Sequence, residues 1–142
     1  MIFDGHSSKC KPDAKTIVSK DKGSPRKHIA TNPNQKFSVR QFQLDGDIFK
    51  YVPCCDYLLL NDTSQVAYYI ELKGKDVGHA AEQLQAAEKL CHNDLEGYDA
   101  LYRIVASGMP THKSFPLSYR KLLNKVGNKL KSKTGSFTED LY

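Results

Sequence analysis

Two acidic residues and one lysine near the middle of the chain have the types and spacing that hydrolysis at a metal ion requires. Glu71 and Lys73 are separated by one residue at the end of the apolar stretch QVAYYIEL, and Asp56 precedes Glu71 by 15 residues. Two carboxylates can bind a hard divalent cation such as Mg²⁺, whose remaining positions are left to water and phosphate. A nearby lysine can orient the attacking water and stabilise charge on the phosphate. These residue types predict metal-assisted hydrolysis of a phosphodiester.

The flanking sequence predicts that the three side chains meet at a strand hairpin. A short apolar strand opens at Asp56, the turn NDTS follows, and a second strand contains Glu71 and Lys73. Antiparallel pairing brings the start of the first strand beside the end of the second. Alternation along the second strand directs Ala67, Tyr69, Glu71 and Lys73 to one face, and Val66, Tyr68, Ile70 and Leu72 to the other, into a core. The alternative is a surface ion pair at the end of a strand.

A segment with the sequence features of an α-helix follows this hairpin directly. In DVGHAAEQLQAAEKLCH, Asp76 can cap a helix whose apolar residues recur at helical spacing, and Gln83 borders the apolar face. A strand, YDALYRIVASG, comes next. The amphipathic segment LSYRKLLNKVGNKLK then predicts a second helix that carries Lys121, Lys125 and Lys129 as a stripe.

Upstream, KFSVRQFQLDGDIFKYV predicts two strands around an Asp45–Asp47 hairpin turn. Strands followed by helix, strand and helix indicate an α/β domain built on a central mixed sheet flanked by helices. We expect this domain to span residues 36–142. Residues 1–35 are rich in lysine and lack clear periodicity, so we expect them to form a basic, flexible or loosely packed arm.

Composition restricts the class of protein. The 142 residues are 39% hydrophobic and 26% charged, as in soluble globular domains, and the net charge is +5. Because no apolar run suits a membrane span or a signal peptide, we expect a cytoplasmic protein with no membrane partner. Basic clusters, including Arg120, attract phosphates but also serve solubility.

The residues Asp56, Glu71, Lys73 and Gln83 together resemble the PD-(D/E)xK nucleases, which have the restriction-endonuclease-like fold. In that superfamily an aspartate on one strand and E-x-K on the next form the metal site, and several branches carry a glutamine on the following helix. The resemblance implies an α-β-β-β-α-β core. It also implies a Mg²⁺-dependent endonuclease, with Mn²⁺ as a substitute, that acts on DNA, and it leaves a homodimer open.

On this resemblance, Asp56 and Glu71 are the metal ligands, and Lys73 and Gln83 complete the catalytic set. Arg120, Lys121, Lys125 and Lys129 would then bind nucleic acid. The sequence departs from the family pattern in two ways: Cys55 stands where a proline normally precedes the aspartate, and no glutamate precedes residue 71. A non-catalytic nucleic-acid- or protein-binding module on the same fold, or a small α/β interaction protein, are the alternatives.

Overall fold

The computed structural model describes residues 1–73, 76–110 and 114–142, and the side chain of Lys73 lies outside this description. The strands are β1 (Thr16–Lys20), β2 (Lys27–Thr31), β3 (Val39–Gln43), β4 (Tyr57–Asn61), β5 (Val66–Lys73), β6 (Asp99–Ala106), β7 (Leu130–Thr134) and β8 (Ser136–Asp140). The helices are α1 (Val77–Cys91) and α2 (Leu117–Val126). Within the described ranges, no helix is long and apolar enough to cross a membrane.

The larger sheet has five strands in the order β3-β4-β5-β6-β7. Strands β3, β4 and β5 pair antiparallel, whereas β5, β6 and β7 run parallel. Each parallel neighbour is reached through a helix, α1 after β5 and α2 after β6. The expected α/β class with a mixed sheet is therefore confirmed.

Local sequence explains the central elements. The Asn61 side chain accepts hydrogen bonds from the backbone N–H groups of Thr63 and Ser64, which closes the turn between β4 and β5. The Asp76 carboxylate accepts from the His79 N–H at 2.9 Å and caps α1, as predicted. At Gly78, an added Cβ would lie 2.7 Å from the Pro116 side chain, so glycine lets the start of α2 approach α1.

Both faces of the five-stranded sheet are covered. Helices α1 and α2 pack on the face that carries Ala67 and Tyr69. A second sheet, in the order β1-β2-β8, covers the face that carries Tyr68 and Ile70. Strand β5 is thus buried on both sides, and Glu71, only 2% exposed, lies beneath the helical layer rather than on the surface.

The first 35 residues differ from the expected loose arm. They contain β1 and β2, which pair with each other and, through β2, with β8. Ile17 and Ala30 are buried in the core between the two sheets. Upstream of β1, the backbone of Lys9 and Pro12 forms hydrogen bonds with β3. The segment is packed because the second face of the large sheet requires apolar cover.

Two further expectations are wrong in detail. The segment after Gly46 does not return as a strand: β3 pairs with β4 instead, and residues 44–56 form a loop whose Ile48 and Phe49 fold back onto the core. The second helix ends at Val126 because Gly127 adopts a φ of 62°. Lys129 therefore leaves the helical stripe and directly precedes β7.

A buried ionic cluster joins the two sheets. Arg103 on β6 is 1% exposed and donates from Nε to Glu139 Oε2 at 2.7 Å and from Nη2 to Oε1 at 3.1 Å. His28 on β2 lies 2.6 Å from the same Glu139 oxygen. Burial alone would raise the pKa of Glu139, but the hydrogen bonds from His28 and Arg103 outweigh it and lower that pKa.

Candidate functional site

Asp56 and Glu71 lie opposite each other where β4 begins and β5 approaches its end. Tyr57 pairs with Ile70, so the next position in the antiparallel register sets Asp56 against Glu71. The Asp56 backbone N–H donates to Glu71 Oε1 at 3.1 Å. The Leu72 N–H donates to Asp56 Oδ2 at 2.8 Å. Each carboxylate therefore accepts a backbone hydrogen bond from the neighbouring strand.

The pair lies in a desolvated, acidic environment. Burial raises the pKa of Asp56 to about 6, although the hydrogen bond from Leu72 N–H opposes this. The negative charges of Asp21 and Asp45 raise that pKa further. Asp21 follows β1 and Asp45 follows β3, so two separate loops bring carboxylates towards the same end of the sheet. The pair thus favours a proton or a cation.

Gln83 of α1 connects the helix to this pair. With its amide nitrogen directed at the sheet, Gln83 donates to the Cys54 carbonyl at 2.8 Å and to Glu71 Oε2 at 3.2 Å. Its oxygen then accepts from His79 Nε2 at 2.9 Å. In the reverse orientation the Gln83 amide oxygen would face only hydrogen-bond acceptors, so the hydrogen-bond network determines which amide atom is the nitrogen. Gln83 thereby orients the Glu71 carboxylate.

The neighbouring thiols do not add anionic donors. Burial raises the pKa of Cys54 to about 12, with Asp45, Glu71 and Asp56 contributing through their negative charges. Burial likewise raises the pKa of Cys55 well above its usual value. Both thiols stay protonated at neutral pH, which leaves the carboxylates as the acidic groups of the pair's surroundings that can ionise.

The remaining predicted residues lie on β5, on α2 and in the segment that follows α2. The backbone of Lys73 pairs with Ala106 on β6, but its side chain lies outside the described residues. Arg120, Lys121, Lys125 and Lys129 are all exposed. The start of α2 lies beside the start of α1, since Ser118 Oγ donates to the Gly78 carbonyl at 2.9 Å. Lys129, in contrast, is beyond the end of the helix, and its carbonyl accepts from Arg103.

Sequence reasoning missed the contribution of the β1–β2 turn. The Tyr57 hydroxyl donates to the Lys20 carbonyl at 2.9 Å, which holds the turn beside the start of β4. The turn contributes Asp21 and four basic residues: Lys20, Lys22, Arg26 and Lys27. The alternating TIVSK and KHIAT segments on either side of Gly23 are the hairpin signal that could have identified it.

The donor set suits a hard divalent cation. Two adjacent carboxylates are what Mg²⁺ or Mn²⁺ commonly uses, together with water and substrate phosphate. Within residues 1–73, 76–110 and 114–142, no group of three or more His, Cys, Asp or Glu side chains is placed to hold a metal ion. A cation bound here would therefore depend on water or phosphate oxygens for its other ligands.

Comparisons with known proteins identify no relative of this chain. No protein-family model, no curated protein and no solved structure matches the chain. The arrangement of Asp56, Glu71 and Gln83 is therefore the basis on which a function can be assigned.

Proposed function

We propose that the protein is a metal-dependent nuclease that hydrolyses phosphodiester bonds of nucleic acid, with DNA as its substrate. The observation that carries this proposal is the opposed pair Asp56 and Glu71, with Gln83 donating to Glu71 from the following helix. A pair of desolvated carboxylates beside the basic β1–β2 turn provides sites for both a divalent cation and a polyanion.

The order of elements supports a restriction-endonuclease-like core of the PD-(D/E)xK type. Strands β3, β4 and β5 pair antiparallel, α1 follows, and β6 pairs parallel with β5. This order agrees with the β-β-β-α-β part of the core that the resemblance implies. Among the described residues before β3, strands β1 and β2 stand where the family has a helix.

Asp56 and Glu71 would hold the cation, either Mg²⁺ or Mn²⁺. When bound, such an ion lowers the pKa of water and offsets the charge of the phosphate. Gln83 keeps the Glu71 carboxylate oriented towards Asp56. Lys73 is proposed to orient the attacking water and to stabilise charge on the phosphate.

Nucleic-acid binding is proposed for the exposed cations of α2, of the segment that follows α2 and of the β1–β2 turn. Arg120 and Lys121 lie on the first turns of α2, beside the start of α1. Lys125 and Lys129 extend the positive surface towards β7. The basic β1–β2 turn adds charge on the other side of Asp56. Such surfaces bind the phosphate backbone without reading its sequence.

One observation favours the alternative of a non-catalytic binding module on the same fold. Both Asp56 and Glu71 already accept backbone N–H groups, which is a structural use for each carboxylate. A purely structural pair would have no need of a cation. Binding of Mg²⁺ therefore separates the two functions.

The deciding experiment is cleavage of single- and double-stranded DNA and RNA with Mg²⁺, with Mn²⁺ and with EDTA. We expect cutting of DNA only with a divalent cation, and loss of cutting in Asp56→Asn. Asp13→Asn is the matched control, because Asp13 is an exposed acid that follows Pro12 in the literal Pro-Asp pair. Absence of cutting on every substrate, or equal cutting by Asp56→Asn, contradicts the proposal.

A further inference from the structure

The loop between β3 and β4, which ends at Asp56, presents an aromatic ring to solvent. Tyr51 has a relative exposure of 103% and a φ of 62°, a backbone conformation that few residues other than glycine adopt. A single exposed aromatic residue needs no explanation by itself. Tyr51 differs because its loop is anchored and because it lines a pocket together with Asp45, Gly46 and Lys50.

Main-chain hydrogen bonds hold this loop. The Phe49 N–H donates to the Leu44 carbonyl and the Gly46 N–H donates to the Phe49 carbonyl, each at 2.9 Å. The Leu44 N–H donates to the Asp56 carbonyl, also at 2.9 Å. Ile48 and Phe49 pack against the core. The loop that carries Tyr51 is thus tied directly to Asp56.

An open pocket of about 530 Å³ lies along the loop, lined by Asp45, Gly46, Lys50 and Tyr51. This volume is within the usual range for sites that bind small molecules. Asp45 connects the pocket to the candidate active site, since it directly follows Leu44, whose N–H donates to the Asp56 carbonyl. The pocket therefore combines the aromatic ring of Tyr51, the positive charge of Lys50 and the hydrogen-bond acceptors of Asp45.

We propose that this pocket binds one unpaired nucleotide of the substrate, with its base stacked on Tyr51 and its phosphate paired with Lys50. The inference rests on the proposed nuclease function and names its substrate class, a single strand or a frayed end. Aromatic rings stack on any base whose face is free, whereas both faces are occupied inside a duplex. The negative charge of the Asp45 carboxylate repels a phosphate from its side of the pocket. The same carboxylate can accept a hydrogen bond from the amino group of a base.

The test measures binding in EDTA, so that metal-dependent cutting does not interfere. Fluorescence anisotropy would compare a short fluorescein-labelled single strand of DNA with the blunt duplex of the same sequence. We expect Tyr51→Ala to weaken single-strand binding by about 5- to 150-fold and to leave duplex binding unchanged. Tyr51→Phe, which keeps the ring, should bind as the parent does. Tyr142→Ala is the control, because Tyr142 is 60% exposed near the other end of β4.

The inference is overturned if Tyr51→Ala binds the single strand normally, loses both ligands equally, or behaves like Tyr51→Phe. Single-stranded RNA of the same sequence should show the same Tyr51 dependence, because stacking does not involve the sugar. The nuclease proposal can be judged separately. Should the parent cut DNA with Mg²⁺ while Tyr51→Ala binds normally, only the nucleotide pocket is refuted; should Tyr51 matter for binding without any cutting, only the nuclease activity is.

Discussion

The Asp56 backbone N–H donates to the Glu71 carboxylate at 3.1 Å, so two acidic residues on adjacent strands are held against each other. Glu71 is 2% exposed, and burial raises the pKa of Asp56 to about 6. Two ionised carboxylates in this position repel each other in a poorly solvated site. A cation between them would relieve that repulsion, and this gives the candidate site properties that can be measured.

The first prediction is that the two acids control metal binding. Asp56→Asn and Glu71→Gln should each weaken Mg²⁺ binding, measured by isothermal titration calorimetry, because each removes a negative ligand. At about 100 times its Kd, Mg²⁺ should stabilise the parent by about 2.7 kcal/mol. Neither variant should gain that stability at the same concentration. Asp13→Asn should bind as the parent does; equal stabilisation of all four proteins would refute a metal site at Asp56 and Glu71.

The second prediction separates rate from metal binding. Lys73→Ala should leave the affinity for Mg²⁺ nearly unchanged while abolishing cleavage, because the proposed role of lysine is to handle the attacking water and phosphate charge. Single-turnover cleavage and calorimetry on the same preparation would measure the two quantities. Lys36→Ala, which removes an exposed lysine preceding β3, is the control. Full activity of Lys73→Ala would exclude this lysine from the chemistry.

The third prediction concerns the surface around α2. Replacing Lys121, Lys125 and Lys129 together with alanine should weaken nucleic-acid binding and flatten its dependence on salt. The slope of log K against log salt should fall by up to about 2.7 if all three contact phosphates of duplex DNA. A triple variant at the exposed Lys9, Lys11 and Lys15 makes the same change in charge elsewhere. If the two triple variants have equal slopes, the α2 surface serves solubility alone.

The fourth prediction follows from the buried cluster between the sheets. Because the folded pKa of Glu139 is lowered, its contribution to stability is present above the usual value of 4.5 and is lost as pH falls through the lowered value. Glu139→Gln should lower the free energy of unfolding by about 3 kcal/mol at neutral pH, since it leaves Arg103 buried without its anion. The loss should shrink towards acidic pH.

Urea denaturation across this pH range would measure that difference. Glu96→Gln is the matched control, because Glu96 is exposed and precedes β6. A Glu139→Gln variant whose stability matches the parent at every pH would show that the ionic cluster does not hold the sheets together.

The sequence alone was sufficient to predict the unit from β4 to β6. Its signals are local: alternating apolar residues in β4 and β5, a tight turn closed by Asn61, and a cap at Asp76. A short hairpin restricts its own register, so the opposition of Asp56 and Glu71 follows from the lengths of the two strands and their turn. The helical spacing of α1 likewise directed Gln83 towards the sheet.

Only the tertiary structure decided what covers the other face of that sheet. Strands β1 and β2 have only five residues each, and β2 pairs with β8, where Lys27 aligns with Ser136 from the far end of the chain. Such pairing is favourable only once Ile17 and Ala30 can be buried against β5. A local sequence pattern in β2 cannot indicate that its pairing partner is a strand so distant along the chain.

The surroundings of Asp56 were decided in the same way. The β1–β2 turn brings Asp21 near Asp56, and the β3–β4 loop exposes Tyr51 because Ile48 and Phe49 turn inward. The sequence determined which side chains could do chemistry and which two strands carry them. The fold determined which charges and rings surround them, because burial and electrostatic interaction depend on distance in space and not along the chain.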